Sequence, residues 1–189
     1  MAALNCFISW LGEKGLPFFK LLKKLGKFEW AVEADEAFQK LKEYLSTSPI
    51  LTPPKKHEPL LLYIIATTLV VSMTIVMERA KEGHVYKVQR HVYYISEVLS
   101  ESKAKYPHVQ KLLYALLFTS RKLCHYFDEH KVTVVSDFPL GNVLRNHDAT
   151  GHISKWLVEV RAQNIEFVSR KAIKSQILAD FIAEWTEAQ

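Results

Sequence analysis

Two hydrophobic periods run along the chain, and the change from one to the other divides it. Through the first fifty residues apolar positions recur at helical spacing. Phe18, Leu21, Leu22 and Leu25 form one face of a helix over Pro17–Lys24, with Pro17 suited to a first turn. Lys20, Lys23, Lys24 and Lys27 occupy its polar face. A second helix, Glu33–Leu45, is drawn by Ala34, Phe38, Leu41 and Leu45. Glu33, Asp35 and Glu36 lie in its first turn and Lys40 and Lys42 further on, which complements the helix dipole. Ser46–Pro49 stops it, and Pro53-Pro54-Lys55-Lys56 is an extended connection.

The pattern then turns to strands. Leu60–Thr67 is the most apolar run of the chain, with the first strand over Leu60–Ala66. It is too short to cross a bilayer and suits a central strand covered on both faces. Val70–Met77 and Val85–Ser96 follow as strands, closed into a hairpin by Arg79–His84 with Gly83. Glu97–Lys105 reads as a loop. Tyr106–Phe127 reads as one long helix with Val109, Leu112, Leu113, Leu116, Leu123 and Phe127 inward and Lys111, Lys122 and His125 outward. Lys131–Ser136 is a fourth strand, Asp137–Leu140 opens a short helix, and Thr150–Arg161 is another. A fifth strand, Asn164–Val168, and a last amphipathic helix, Ser175–Glu187, complete the order β-β-β-α-β-α-α-β-α after the helical start. The fold class is mixed α/β with a five-stranded mixed sheet.

Composition narrows the function. With 189 residues, 49% hydrophobic and 24% charged, the chain can bury one good core with an appendage. The balance of 25 Lys+Arg against 20 Asp+Glu permits a polyanionic partner without requiring one. Cys6 and Cys124 form no zinc-like or CxxC spacing and read as buried thiols of a reducing compartment. Met1–Trp10 lacks a signal-peptide pattern and no stretch reaches transmembrane length, so an intracellular location without a membrane partner is expected. Cys124-His125 with His130 lacks metalloprotease or zinc spacing, and no P-loop, GxGxxG or GxSxG is present.

The order of elements is that of the ribonuclease H (RNase H) fold, and several segments strengthen that resemblance. Phe28-Glu29-Trp30, Ala37-Phe38, Leu41-Lys42 and Pro49-Ile50-Leu51 resemble the lead-in to the RNase H-like domain of Ty3/gypsy retrotransposon polyproteins. Leu62–Thr67 resembles its first strand, Tyr93–Ser96 its third, and Tyr106–Arg121 with Tyr126-Phe127 its central helix. Val134–Leu140, Trp156 and Ile173–Phe181 match in order and spacing. The resemblance covers residues 28–189, and Phe7–Lys27 resembles the end of the reverse-transcriptase thumb of the same polyproteins. It implies three parts: a thumb-like helical segment over 1–27, a helix and linker over 28–56, and an RNase H-like domain over 57–189.

The resemblance also supplies a chemical test. Such enzymes cut the RNA strand of an RNA–DNA hybrid with two divalent metals held by clustered carboxylates, because Mg²⁺ prefers charged oxygen ligands. Mapped residue by residue, the first-strand Asp of the family falls on Ile65 and the helix Glu on Gln110, while Asp137 and Asp180 are retained. Ile65 offers no ligand atom and Gln110 no charge. The resemblance therefore implies a catalytically degenerate RNase H-like domain. Its role would be a connection or tether between the domains of a polyprotein, with no resident cofactor and an RNA–DNA hybrid or other nucleic acid as partner. Lys14, Lys20, Lys23, Lys24, Arg121, Lys122, Lys155, Arg170, Lys171 and Lys174 are the candidate phosphate contacts, though the same residues also serve as an ordinary solvated surface. Two alternatives stay open: a residual Mg²⁺-dependent RNase H with one weak metal on Asp137 and Asp180, and a domesticated protein-interaction module.

Overall fold

The computed structural model describes residues 6–23, 30, 32–47, 50–80, 87–145 and 152–169. Five strands, Leu60–Ala66 (β1), Val70–Arg79 (β2), Val88–Val98 (β3), Val132–Ser136 (β4) and Ile165–Ser169 (β5), form one sheet. Their order is β3-β2-β1-β4-β5. The first three strands pair antiparallel, and β4 joins β1 and β5 in parallel. The mixed α/β fold with β1 at its centre is the architecture that the hydrophobic pattern implies. All of β1 except Leu61 is buried, as expected of a strand covered on both faces.

The period of two sorts β1 between two cores. Leu60, Leu62, Ile64 and Ala66 join the larger one, with Met73 and Ile75 of β2 and Leu112, Leu113, Leu116 and Leu117 of the helix His108–Lys122. Each fully buried Leu stabilises the fold by about 1.5–3 kcal/mol, so this face holds most of the driving force. Tyr63 and Ile65 point to the other face, where Trp10, Val76 and Val135 complete a smaller cluster.

Several sequence expectations change here. In chain order the helices are Leu11–Lys14 (α1), Leu16–Lys23 (α2), Val32–Thr47 (α3), Glu101–Ala104 (α4), His108–Lys122 (α5), Cys124–Glu129 (α6), Leu140–Arg145 (α7) and His152–Arg161 (α8). The stretch expected as a loop, 97–105, contains the end of β3 and α4. Glu97 is fixed there by Lys103 Nζ at 3.0 Å and by the Tyr114 hydroxyl at 2.8 and 2.9 Å. The expected single helix 106–127 breaks at Leu123, whose φ of −121° and ψ of 37° are not helical. Leu123 and Phe127 are both buried in the large core, so packing chooses the break and periodicity cannot reveal it. Cys124, expected inside, is exposed, and Cys6 is half-exposed. The final helix expected over 175–187 lies outside the described residues.

The N-terminal helices cover the second face. Gly12 approaches so closely that a Cβ there would stand 3.0 Å from Val70 Cγ1 and 3.3 Å from Ser96 Cβ. Its N–H, lacking an intrahelical acceptor in the first turn of α1, donates to Ser96 Oγ at 2.7 Å. Leu41 of α3 then packs with Ile8 and Leu11. On the opposite face α8 lies beside α5, with the Trp156 ring 6.0 Å from Tyr106 and 5.9 Å from Tyr114.

The turn before β1 is held by Glu58, which lies near the metal position in sequence but has a structural role. Its Oε2 accepts from Lys55 N at 2.8 Å, and its two oxygens receive Arg79 Nε and Nη2, each at 2.8 Å. The Arg79 hydrogen bond, more than any other contact, lowers the carboxyl from its ordinary 4.5 to about 2. A folded-state value below the unfolded one adds stability that is present above the unfolded value and is lost as pH falls through the folded one. Glu58→Gln is therefore expected to cost about 1–2 kcal/mol near neutrality, the upper range being discounted for partial exposure. The gap from the unaltered chain should close as pH falls from about 4.5 to about 2. Urea midpoints at a series of pH values check this.

Candidate functional site

Ile65 and Asp137 lie at the C-terminal ends of β1 and β4, and Gln110 lies at the nearby start of α5. The register that pairs Tyr63 with Val135 carries Ile65 level with Asp137, one step past β4. Across β2 and β3 the same row continues as Ser72 and Ser96. Gln110 enters from the first turn of α5, half-buried. Two contacts bring that helix end close: the His108 ring is 6.4 Å from Phe138, and Lys111 reaches the turn after β1. Asp180 lies outside the described residues.

What fills this place is apolar. Ile65 is 6% exposed, clustered with Trp10, Tyr63, Val76 and Val135. Asp137 is exposed and lines a cavity of about 270 Å³ with Ser136, Phe138, Leu140, Asn142 and Phe167. Ser136 Oγ accepts from Phe138 N at 3.1 Å, which fixes the turn that carries Asp137. Among the described residues no three His, Cys, Asp or Glu side chains stand together as a metal site. A Mg²⁺ ion needs several charged oxygens, and the central position offers a buried hydrocarbon instead. The described residues do not fit the metal pair that the fold family uses.

Lys111 was expected on the solvent side and is only 6% exposed. Its Nζ donates to the carbonyls of Thr67 at 3.2 Å and Thr68 at 2.8 Å, and burial lowers its pKa. This ammonium stands on the turn that follows Ile65-Ala66, so the end of β1 carries a positive charge there. Ala115, one turn further along α5 and fully buried, is the signal in the sequence that this side also faces inward. Trp10 gave no comparable signal, because nothing local says which strand an isolated aromatic will cover.

The basic candidates do not form one stripe. Lys20 is exposed on α2, beside the N-terminal layer. Lys14 lies 3.6 Å above the Tyr44 ring. Arg121, Lys122 and Lys155 belong to the α5–α8 layer on the other side of the sheet. Arg121 is bound through Nε at 2.6 Å and Nη2 at 2.7 Å to Glu159, which lowers the Glu159 pKa. Lys122 lies 5.5 Å from the Phe118 ring and Lys155 is exposed. Lys23 ends α2, and Lys24, Arg170, Lys171 and Lys174 are outside the described residues.

A five-stranded mixed sheet of order β3-β2-β1-β4-β5 between helical layers defines an RNase H-like domain. The family of RNase H-like domains found in reverse transcriptase matches residues 30–134, more than half of the chain. The chain belongs to that family. Among solved structures it is similar to the foamy viral protease–reverse transcriptase dRH in complex with double-stranded DNA, at 16% identity and a TM-score of 0.72, over 92% of this chain and 31% of that one. The foamy viral protease–reverse transcriptase in complex with an RNA/DNA hybrid gives 16% identity and a TM-score of 0.72, over 91% of this chain and 24% of that one. A further foamy viral complex with double-stranded DNA gives 15% and 0.71, over 92% and 37%. At such identities the likeness is one of fold, and the chain spans about a quarter to a little over a third of those proteins. No curated protein matches the sequence.

Proposed function

We propose that this chain is a catalytically silent RNase H-like domain of a Ty3/gypsy-type reverse transcriptase. In this reading it connects a thumb-like segment, 1–27, through the linker 28–56 to whatever follows the domain 57–189 in a polyprotein. The observation that carries the reading is Ile65, buried in an apolar cluster where the family pattern carries an Asp. The segment resemblance that names Ty3/gypsy elements supports the lineage, and an intracellular location follows from it. The similar foamy viral structures are complexes with double-stranded DNA and with an RNA/DNA hybrid, which favours a nucleic-acid surface here too. Exposed Lys122 and Lys155, both on the α5–α8 layer, would meet phosphates without reading sequence, so binding should weaken with salt.

The unaltered chain is expected to show no turnover of an RNA–DNA hybrid with millimolar Mg²⁺ or Mn²⁺, while retaining salt-sensitive hybrid binding in a mobility-shift assay. Metal-dependent turnover that disappears in Asp137→Asn would sink this reading in favour of a residual enzyme. Absence of hybrid binding even at low salt would point to a protein-interaction module.

A further inference from the structure

We infer that the segment Cys6–Lys14 is an intramolecular plug, seated on the sheet face that carries Ile65, and that it keeps divalent cations from the ends of β1 and β4 even when the lost carboxylates are restored. The inference rests on the reading of Ile65 as the vacated ligand position.

Four contacts seat the segment. Trp10 is 4% exposed and shares its cluster with Ile65, Tyr63, Val76 and Val135. Gly12 N donates to Ser96 Oγ, in the row that contains Ser72 and Ile65. Tyr94 N of β3 donates to the Cys6 carbonyl at 3.3 Å, so the segment also engages the sheet edge. Ile8 and Leu11, 2% and 4% exposed, are backed by Leu41 of α3.

Trp10 adopts a left-handed backbone, φ 57° and ψ 24°. For a bulky residue that conformation is costly and persists only where its surroundings impose it. Here its carbonyl accepts from Glu13 N at 2.9 Å and Lys14 N at 3.0 Å, which starts α1 at the angle that lets Gly12 touch the sheet. The indole thereby covers the second face of β1 beside Ile65. On the other side of the same strand end, the buried Lys111 ammonium holds the carbonyls of Thr67 and Thr68. A divalent ion would have to displace an aromatic ring and approach a fixed positive charge.

Hydrogen exchange on the unaltered chain tests the seating. The Gly12 amide should exchange about a thousandfold more slowly than in an unstructured peptide, together with the amides of β2 and β3. Ser96→Ala should lower that protection about five- to tenfold. Fast exchange through residues 6–14 beside a protected sheet overturns the plug.

Mg²⁺ alone is the probe of exclusion. The Ile65→Asp/Gln110→Glu chain should show no Mg²⁺-dependent rise in Tm, whereas adding Trp10→Ala should produce a rise of several degrees. If the carboxylate variants do not fold by themselves, Mg²⁺-induced refolding serves as the same readout. An equal response with and without Trp10, whether present in both or absent from both, overturns the proposal. The two readings fail separately. Absence of hybrid binding at low salt with residues 6–14 protected defeats only the proposed function, and fast exchange there without cleavage defeats only the plug.

Discussion

Ile65→Asp is expected to lower the stability of the folded chain by about 3–5 kcal/mol at pH 7, the cost of an uncompensated charge in an apolar site. The side chains clustered with Ile65 are apolar, Trp10, Tyr63, Val76 and Val135, and the buried Ser72 stands opposite it on β2. Burial would raise the new carboxyl above its unfolded value of about 3.9. With the folded-state value raised, the charge penalty is absent below the unfolded value and grows as pH rises towards the folded one. Compared with the unaltered chain at each pH, the variant should therefore lose far less stability at pH 4 than at pH 7. What remains at pH 4 is the lost burial of the Ile side chain, about 1–3 kcal/mol. Urea unfolding at the two pH values measures both parts. A variant as stable as the parent at pH 7 would mean that the site still accepts a carboxylate, contrary to the apolar cluster.

Trp10→Ala should cost about 3–5 kcal/mol, as large aromatic truncations in well-packed cores do. That is as much as Leu116→Ala on the opposite face, where about 2–5 kcal/mol is the usual range for such a change. The comparison matters because Trp10 lies in a segment whose resemblance is to a different domain. A residue belonging to a loosely attached appendage would cost well under 1 kcal/mol. Equal losses for Trp10 and Leu116, with one cooperative urea transition in each variant, would make the N-terminal segment part of the domain's own core. A separate early transition in the parent chain would sink that conclusion.

Much of the fold was legible because burial follows period. Leu60–Ala66 was placed at the centre of the sheet from its unbroken apolar run, and β1 has the expected bounds. The strands that follow were found by their β-branched and aromatic residues, and the helices by spacing. The failures share a cause. A helix break at Leu123 leaves both halves in phase with one apolar face, so the pattern reads through it. Lys111 was placed in solvent because a Lys ordinarily stays hydrated, and only the carbonyls of Thr67 and Thr68 make its burial tolerable.

The candidate site divides in the same way. The sequence by itself determined the order of elements, the central place of β1, and the absence of a charged ligand at Ile65 and Gln110. Those are properties of residue type and spacing. Tertiary structure alone decided what stands around Ile65. Trp10, 55 positions earlier, covers one side of the strand, and Lys111, 46 positions later, holds the turn beyond its end. Periodicity tells which residues turn inward, but the segment that covers them is chosen by packing between parts of the chain far apart in sequence.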